Sequence, residues 1–184
     1  MTRFLSIILS LTLLIASGCA RVQVSEDYDT QTRFPVLKSY GWKSVRPPES
    51  TDARLNNPLL HKRLRLAIDQ ALGNKGFSQN ASPDFLVSYD FSIQTKLESS
   101  PVGTGFGFGY GSYRRFGRFG IDTYSDIRQY DVGTLVIDVY DAESGNVLWR
   151  GKGSKIYNNH QTPEENREMV NSLVTAILAQ FPPQ

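Results

Sequence analysis

From Phe85 to Glu98 the chain changes character at every second residue. Phe85, Val87, Tyr89, Phe91, Ile93 and Leu97 fall on one face of an extended backbone, and Ser88, Asp90, Ser92, Gln94, Lys96 and Glu98 fall on the other. A helix would scatter these two sets around its circumference; only a strand, with its period of two, separates them. One face must be buried and the other must meet water, which is the pattern of an antiparallel sheet covered on one side.

Shorter segments complete this layer. Arg21–Ser25 alternates in the same way, and Ser39–Val45 carries Tyr40 and Trp42 on one face. Asp27-Tyr28-Asp29 and Phe34-Pro35 read as a connection between them, and Arg46-Pro47-Pro48-Glu49-Ser50 interrupts regular structure after the second. Tyr130–Tyr140 is a further strand with Leu135, Ile137 and Val139 on one side. The turn cluster Asp141–Asn146 leads into a last strand, Val147–Tyr157, through Trp149. Gly151 and Gly153 in that strand point to a bulge or a close neighbour.

Two segments have a helical period. Leu60, Leu64, Ala67, Ile68, Ala71 and Leu72 form one apolar stripe after Asn57 as N-cap and Pro58 at the first helical position, with Gly73 or Gly76 as the stop. His61, Lys62, Arg63 and Arg65 are expected on its basic outer side. Thr162-Pro163-Glu164-Glu165 is a capping box, followed by an apolar face of Val170, Leu173, Val174, Ile177, Leu178 and Phe181 and a stop at Pro182-Pro183. The expected fold is therefore α+β, in the order ββαβββα: an antiparallel sheet of about five strands with two helices on one face. No internal repeat is present.

The N-terminus belongs to a different kind of structure. Met1-Thr2-Arg3 supplies a positive end, and Phe4–Ile15 is a mostly apolar run of about twelve residues, the build of a secretory signal peptide. It is shorter than the roughly twenty apolar residues of a spanning helix. Ala16-Ser17-Gly18-Cys19 follows, small residues leading to a thiol, and resembles a bacterial lipobox. The first of these positions holds Ala where Leu is commoner. The resemblance implies a signal peptide of residues 1–18 and a mature single domain of residues 19–184 that begins with lipid on Cys19. Each buried methylene contributes about 0.8 kcal/mol, so the two or three chains of a lipobox cysteine make attachment effectively permanent. The next residue is Ala20 rather than Asp, which by resemblance to enterobacterial lipoproteins directs the chain to the outer membrane, on its periplasmic side. No Ser/Gly/Pro-rich tether separates Cys19 from the first strand, so the domain is expected close to the bilayer.

Several segments, in order, resemble a bacterial lipoprotein family numbered 4136 among the domains of unknown function. These are Asp27-Tyr28-Asp29 with Tyr40-Gly41-Trp42; Ala71–Phe77 with Pro83–Tyr89; and Gly133–Asp141 with Leu148-Trp149-Arg150-Gly151. The resemblance extends over roughly residues 22–181. It implies a lipid-anchored envelope protein and transfers no catalytic residue.

Composition narrows the chemistry. Lys and Arg number 20 against 18 Asp and Glu, a net charge of +2, which does not suit a general nucleic-acid binder. One Cys forms no intramolecular disulfide, and two His leave little for metal or triad chemistry. His61 and His160 have no second ligand at zinc spacing, and His160 would act as a base only with a partner supplied by the fold. Asp27 and Asp29 have the first spacing of a calcium loop, but Thr32 and Lys38 replace its Gly and Glu, so they read as turn formers. Asp84, Asp90, Asp131, Asp138 and Asp141 are scattered over strands and turns. A facing pair would resemble a glycosidase site, and solvated sheet residues are the simpler account.

Residues 103–120 are rich in Gly, aromatic residues and Arg. They fit neither a dinucleotide-binding glycine pattern nor a P-loop, so no cofactor is expected there. The plain reading is a connection between strands. The functional reading is contact with an anionic envelope surface through Phe106, Phe108, Tyr110, Arg114, Arg115 and Arg118. No catalytic, cofactor or metal residues emerge. The expected function is a non-enzymatic binding or structural module of the envelope, with a regulatory partner of an envelope enzyme or assembly complex, and a hydrolase with an unrecognised site, as alternatives.

Overall fold

The computed structural model describes residues 22–30, 37–44, 50–101 and 125–183, with backbone alone for 99–101 and 125–127. Cys19 and residues 103–120 lie outside the described residues. The elements are β1 (Gln23–Tyr28), β2 (Ser39–Trp42), α1 (Pro58–Asn74), β3 (Ser78–Gln79), β4 (Phe85–Pro101), β5 (Ser125–Asp141), β6 (Val147–Tyr157) and α2 (Pro163–Leu178). The strands form one sheet in the order β1-β6-β5-β4-β2-β3.

The α+β class and the two helices agree with the sequence reading; the all-antiparallel sheet of five strands does not. The described residues form six strands, and β2 runs parallel to both β4 and β3. The cause is the position of α1. A parallel pair needs a long crossover, usually helical, and α1 is that crossover between β2 and the β3–β4 region. The remaining pairs, β1–β6, β6–β5 and β5–β4, are antiparallel. β1 also runs on to Tyr28, so Asp27, expected in a connection, lies within the strand.

The hairpin of β4 and β5 is longer than its apolar pattern. Pairing is continuous from Phe85↔Asp141 to Pro101↔Ser125, whereas β6 accompanies β5 only between Asp131 and Tyr140. The far end of the hairpin therefore continues as a two-stranded arm beyond the sheet.

Both helices cover the face that carries Phe85, Val87, Tyr89, Leu135, Ile137, Val139 and Trp149, all buried with the apolar stripes of α1 and α2 in one core. Leu173 and Ile177 lie against β6 at its two glycines. A Cβ on Gly153 would sit 2.8 Å from Ile177 Cγ1, and one on Gly151 would collide with the Trp149 ring and lie 2.5 Å from Ile177 Cγ2. The expected close neighbour is thus α2. The bulge lies elsewhere, between Val139 and Tyr140 opposite the start of β6.

The helix ends follow their sequence signals. Asn57 Oδ1 accepts from the Leu59 and Leu60 amides. At the other end of α1 the Phe77 N–H reaches Leu72 O and the Gly76 N–H reaches Gly73 O, a Schellman closure with Gly76 at φ +89°. Thr162 and Glu165 form the reciprocal capping box of α2.

Candidate functional site

Among the described residues, no helix lies on the opposite face of the sheet. Register puts Ser88, Asp138, Arg150 and Asp27 in one row across four strands of this face. Asp138 is buried, 8% exposed, and accepts two hydrogen bonds from one guanidinium: Arg150 Nε to Oδ1 at 2.6 Å and Nη2 to Oδ2 at 2.9 Å. Tyr140 OH donates to Asp138 Oδ2 at 3.3 Å, and Lys43 Nζ sits 3.3 Å above the Tyr140 ring centre. The hydrogen bonds to Asp138, and then its charge, raise the Arg150 pKa and keep the guanidinium charged.

The Arg150 side chain is 54% exposed, so the pair adds under about 1 kcal/mol of stability. Its larger effect is to fix the orientation of an exposed cation. That cation lines a shallow cavity of about 420 Å³ at the β1–β6 corner, with Asp27, Asp29, Val147 and Leu148. One fixed guanidinium beside Asp138 and two further aspartates makes a mixed polar contact surface rather than a trap for a free anion. A second depression, of about 500 Å³, lies where β6 stops and the arm continues. Its lining includes Lys96, Glu98, Arg128, Tyr130, Val132 and Ile156.

On the helix side Asp131 fastens the approach to α1. Its Oδ2 accepts from Arg54 Nη1 at 2.8 Å and Asn159 Nδ2 at 3.1 Å, and its Oδ1 accepts from Thr95 Oγ1 at 2.6 Å. Asp84 joins β2 to β4: Oδ2 accepts from the Lys38 and Ser39 amides and the Ser39 hydroxyl, which holds its carboxyl below the usual range. Asp138 and Asp131 therefore act within structural networks on opposite faces of β5 and do not face one another. Asp90 is exposed, and Asp141 accepts from the Ser144 amide in the β5–β6 turn. The scattered aspartates thus divide: Asp138 and Asp131 are not the solvated residues expected of sheet-face carboxylates, because each is taken up by an arginine.

His61 is a correction. It is buried at 8% exposure rather than on the outer side of α1, with Nδ1 3.1 Å from Tyr89 OH and Nε2 2.9 Å from Leu55 O. Both ring nitrogens are satisfied, so it ties the residue 50–56 segment to the core. Arg65 stacks over Trp42, 4.3 Å from the ring centre. His160 is exposed, and its amide binds Asn158 Oδ1.

Two acidic residues escaped the sequence reading. Asp69 accepts from Tyr40 OH at 2.8 Å and Trp42 Nε1 at 3.1 Å. Burial, then Asp69, raises the Tyr40 phenol well above its ordinary value. Glu26 accepts from the fully buried Trp149 at 2.9 Å. The available signal was an aromatic N–H or O–H on a core face, which needs an acceptor. Cys19 and Phe106, Phe108, Tyr110, Arg114, Arg115 and Arg118 lie outside the described residues. Among the described residues, no group of three His, Cys, Asp or Glu side chains is placed to hold a metal ion, and no helix is long and apolar enough to cross a membrane.

These features define an α+β domain with a mixed six-stranded sheet, helices on one face and polar networks on the other. The chain belongs to the family described as Domain of unknown function (DUF4136), whose model matches residues 24–183. No curated protein matches it. It is similar in fold to a PDZ domain protein from Parabacteroides distasonis ATCC 8503, with a TM-score of 0.53 and 14% identity over 96% of this chain. The aligned part is 40% of that protein, so this chain spans less than half its length. A PelC dodecamer from Paraburkholderia phytofirmans aligns over 86% of this chain and 96% of its own, at 14% identity and a TM-score of 0.44.

Proposed function

We propose that this protein is a lipoprotein of the bacterial cell envelope, fastened by fatty acyl chains on Cys19 to the outer membrane and lying on its periplasmic side. Its domain serves as a non-enzymatic binding or structural module. The observation that carries the reading is Ala16-Ser17-Gly18-Cys19 directly behind the apolar run Phe4–Ile15, with the chain's sole thiol at the position that lipid would take. The start of β1 at Gln23, four residues on, supports a domain held near the bilayer.

The uncovered sheet face supports the binding role, because it presents an oriented Arg150 beside shallow, open relief suited to a broad partner surface. Within the same reading, Phe106, Phe108, Tyr110, Arg114, Arg115 and Arg118 contact an anionic envelope surface, the rings at the headgroup level and the arginines on phosphate.

Fractionation of cells that express the full chain or its Cys19→Ser variant tests this. The native chain is expected in the membrane fraction, released by detergent and not by salt, and the variant in the soluble periplasmic fraction. A variant that stays with the membrane would overturn the proposal.

A further inference from the structure

We propose that the two-stranded arm formed by the ends of β4 and β5 lies against the same bilayer that holds Cys19, giving the domain a second membrane contact. This rests on the lipid attachment of Cys19 proposed above.

The geometry is a comparison of two lengths. β1 pairs Gln23 with Ser154, Ser154 pairs with Thr134, and Thr134 pairs with Ser92, so the start of β1 is level with these residues of the sheet. Traced backwards, β1 heads towards the Ser125 end of β5, the direction in which the arm projects. Val22, the residue before β1, packs against the core. From Gln23 back to Cys19 is four residues, about 14 Å at full extension. From Thr134 to Ser125 the arm runs nine residues further, about 30 Å at strand rise.

Sheet twist separates the two directions but does not cancel the difference. β1 and β5 are two strand positions apart, which at about 20–25° each leaves roughly 20 Å of overhang along the anchor's direction. That still exceeds the tether, so the arm reaches the plane of the lipidated cysteine before the tether is fully extended. A domain on this anchor meets the membrane with its arm first, and the arm enters the headgroup layer.

The side chains at the foot of the arm suit an interface. Leu97, in step with the core-facing residues of β4, is 71% exposed, and Ile156, level with Gln94 on the opposite face, is 64% exposed, so each face presents one large exposed apolar group. Lys96, Glu98 and Arg128 lie beside Ile156, and the exposed Lys96 ammonium can reach lipid phosphate while its stem lies on apolar surface. The turn at Asp141–Asn146 lies at the opposite end of the sheet, furthest from the anchor.

Full-length lipidated protein carrying Leu97→Cys, Ile156→Cys or Ser144→Cys, each labelled with an environment-sensitive fluorophore, tests the orientation. The native cysteine is blocked by lipid, and the three substituted positions are exposed, so folding is retained. The proteins are reconstituted in phosphatidylethanolamine–phosphatidylglycerol vesicles that carry a quencher on the upper acyl chain. Blue-shifted emission and loss of fluorescence at positions 97 and 156, with unchanged emission at 144, is the expected result. Labels at 97 and 156 that remain unquenched while the mass of the same sample confirms the lipid would overturn the arm contact alone. So would labels shielded from water yet untouched by the lipid quencher, since a protein surface would then cover the arm. A mass without lipid would overturn the anchor itself.

Discussion

Gly151 shows how one residue sets the position of an element. A methyl group there has no room: it meets the Trp149 ring on its own strand and Ile177 on α2. Gly151→Ala is expected to cost about 1–3 kcal/mol, read as a lower denaturation midpoint. An unchanged midpoint would mean that α2 is not held against β6 as described. The sequence signalled a close neighbour at this strand, while the identity of that neighbour needed the three-dimensional packing. His61 was similarly half legible. It lies three residues before Leu64 and seven before Ile68, on the edge of the apolar stripe, but only Tyr89 and Leu55 explain how a polar ring is accommodated there. Carboxylates give the pH dependence. Asp84, Asp141 and Glu165 have lowered pKa values because backbone amides hydrogen-bond to them. Each binds its proton less readily folded than unfolded. Their contribution to stability is complete above the ordinary carboxylate range and is lost as pH falls through it. Unfolding free energy is expected to decline on acidification below about pH 4, and Asp84→Asn should make that decline shallower. Equal declines of unfolding free energy with pH in the two proteins, measured by urea titration at each pH, would refute this account of Asp84.

At the scale of elements, the helices were written most plainly, because caps and stripes are local. Asn57→Ala removes the acceptor of two amides at the start of α1 and should cost about 1 kcal/mol. Leu173→Ala, at a fully buried position over Gly153, should cost about 2–5 kcal/mol. Denaturant titrations that rank these two in the reverse order would contradict the placement of the core between sheet and helices. Strand faces were legible for the same local reason, but strand direction was not. A period of two is identical in parallel and antiparallel pairs, so β2 gave no sign of lying parallel to β4. β3 pairs over only two residues, too few for any pattern. The distal arm was missed because residues 94–98 of β4 and 128–129 of β5 are already exposed on both faces, and alternation disappears when both faces are wet. Its length is set instead by uninterrupted pairing to Pro101 and Ser125.

At the scale of the molecule, the sheet divides the work. One face and two helices form the core, while among the described residues no helix lies on the other face or on the arm. The candidate contact face was only partly legible. Arg150 and Asp138 belong to separate strands, and only the β5–β6 register joins them into a fixed pair. The proposed anchor has the opposite character, being a linear signal that needs no fold to be recognised. Intact-mass spectrometry of protein extracted from membranes tests it most directly. A chain that begins at Cys19 is expected, with the mass of residues 19–184 increased by a diacylglycerol and, where present, an N-acyl group. A chain that begins at Met1 with an unmodified thiol at Cys19 would contradict it.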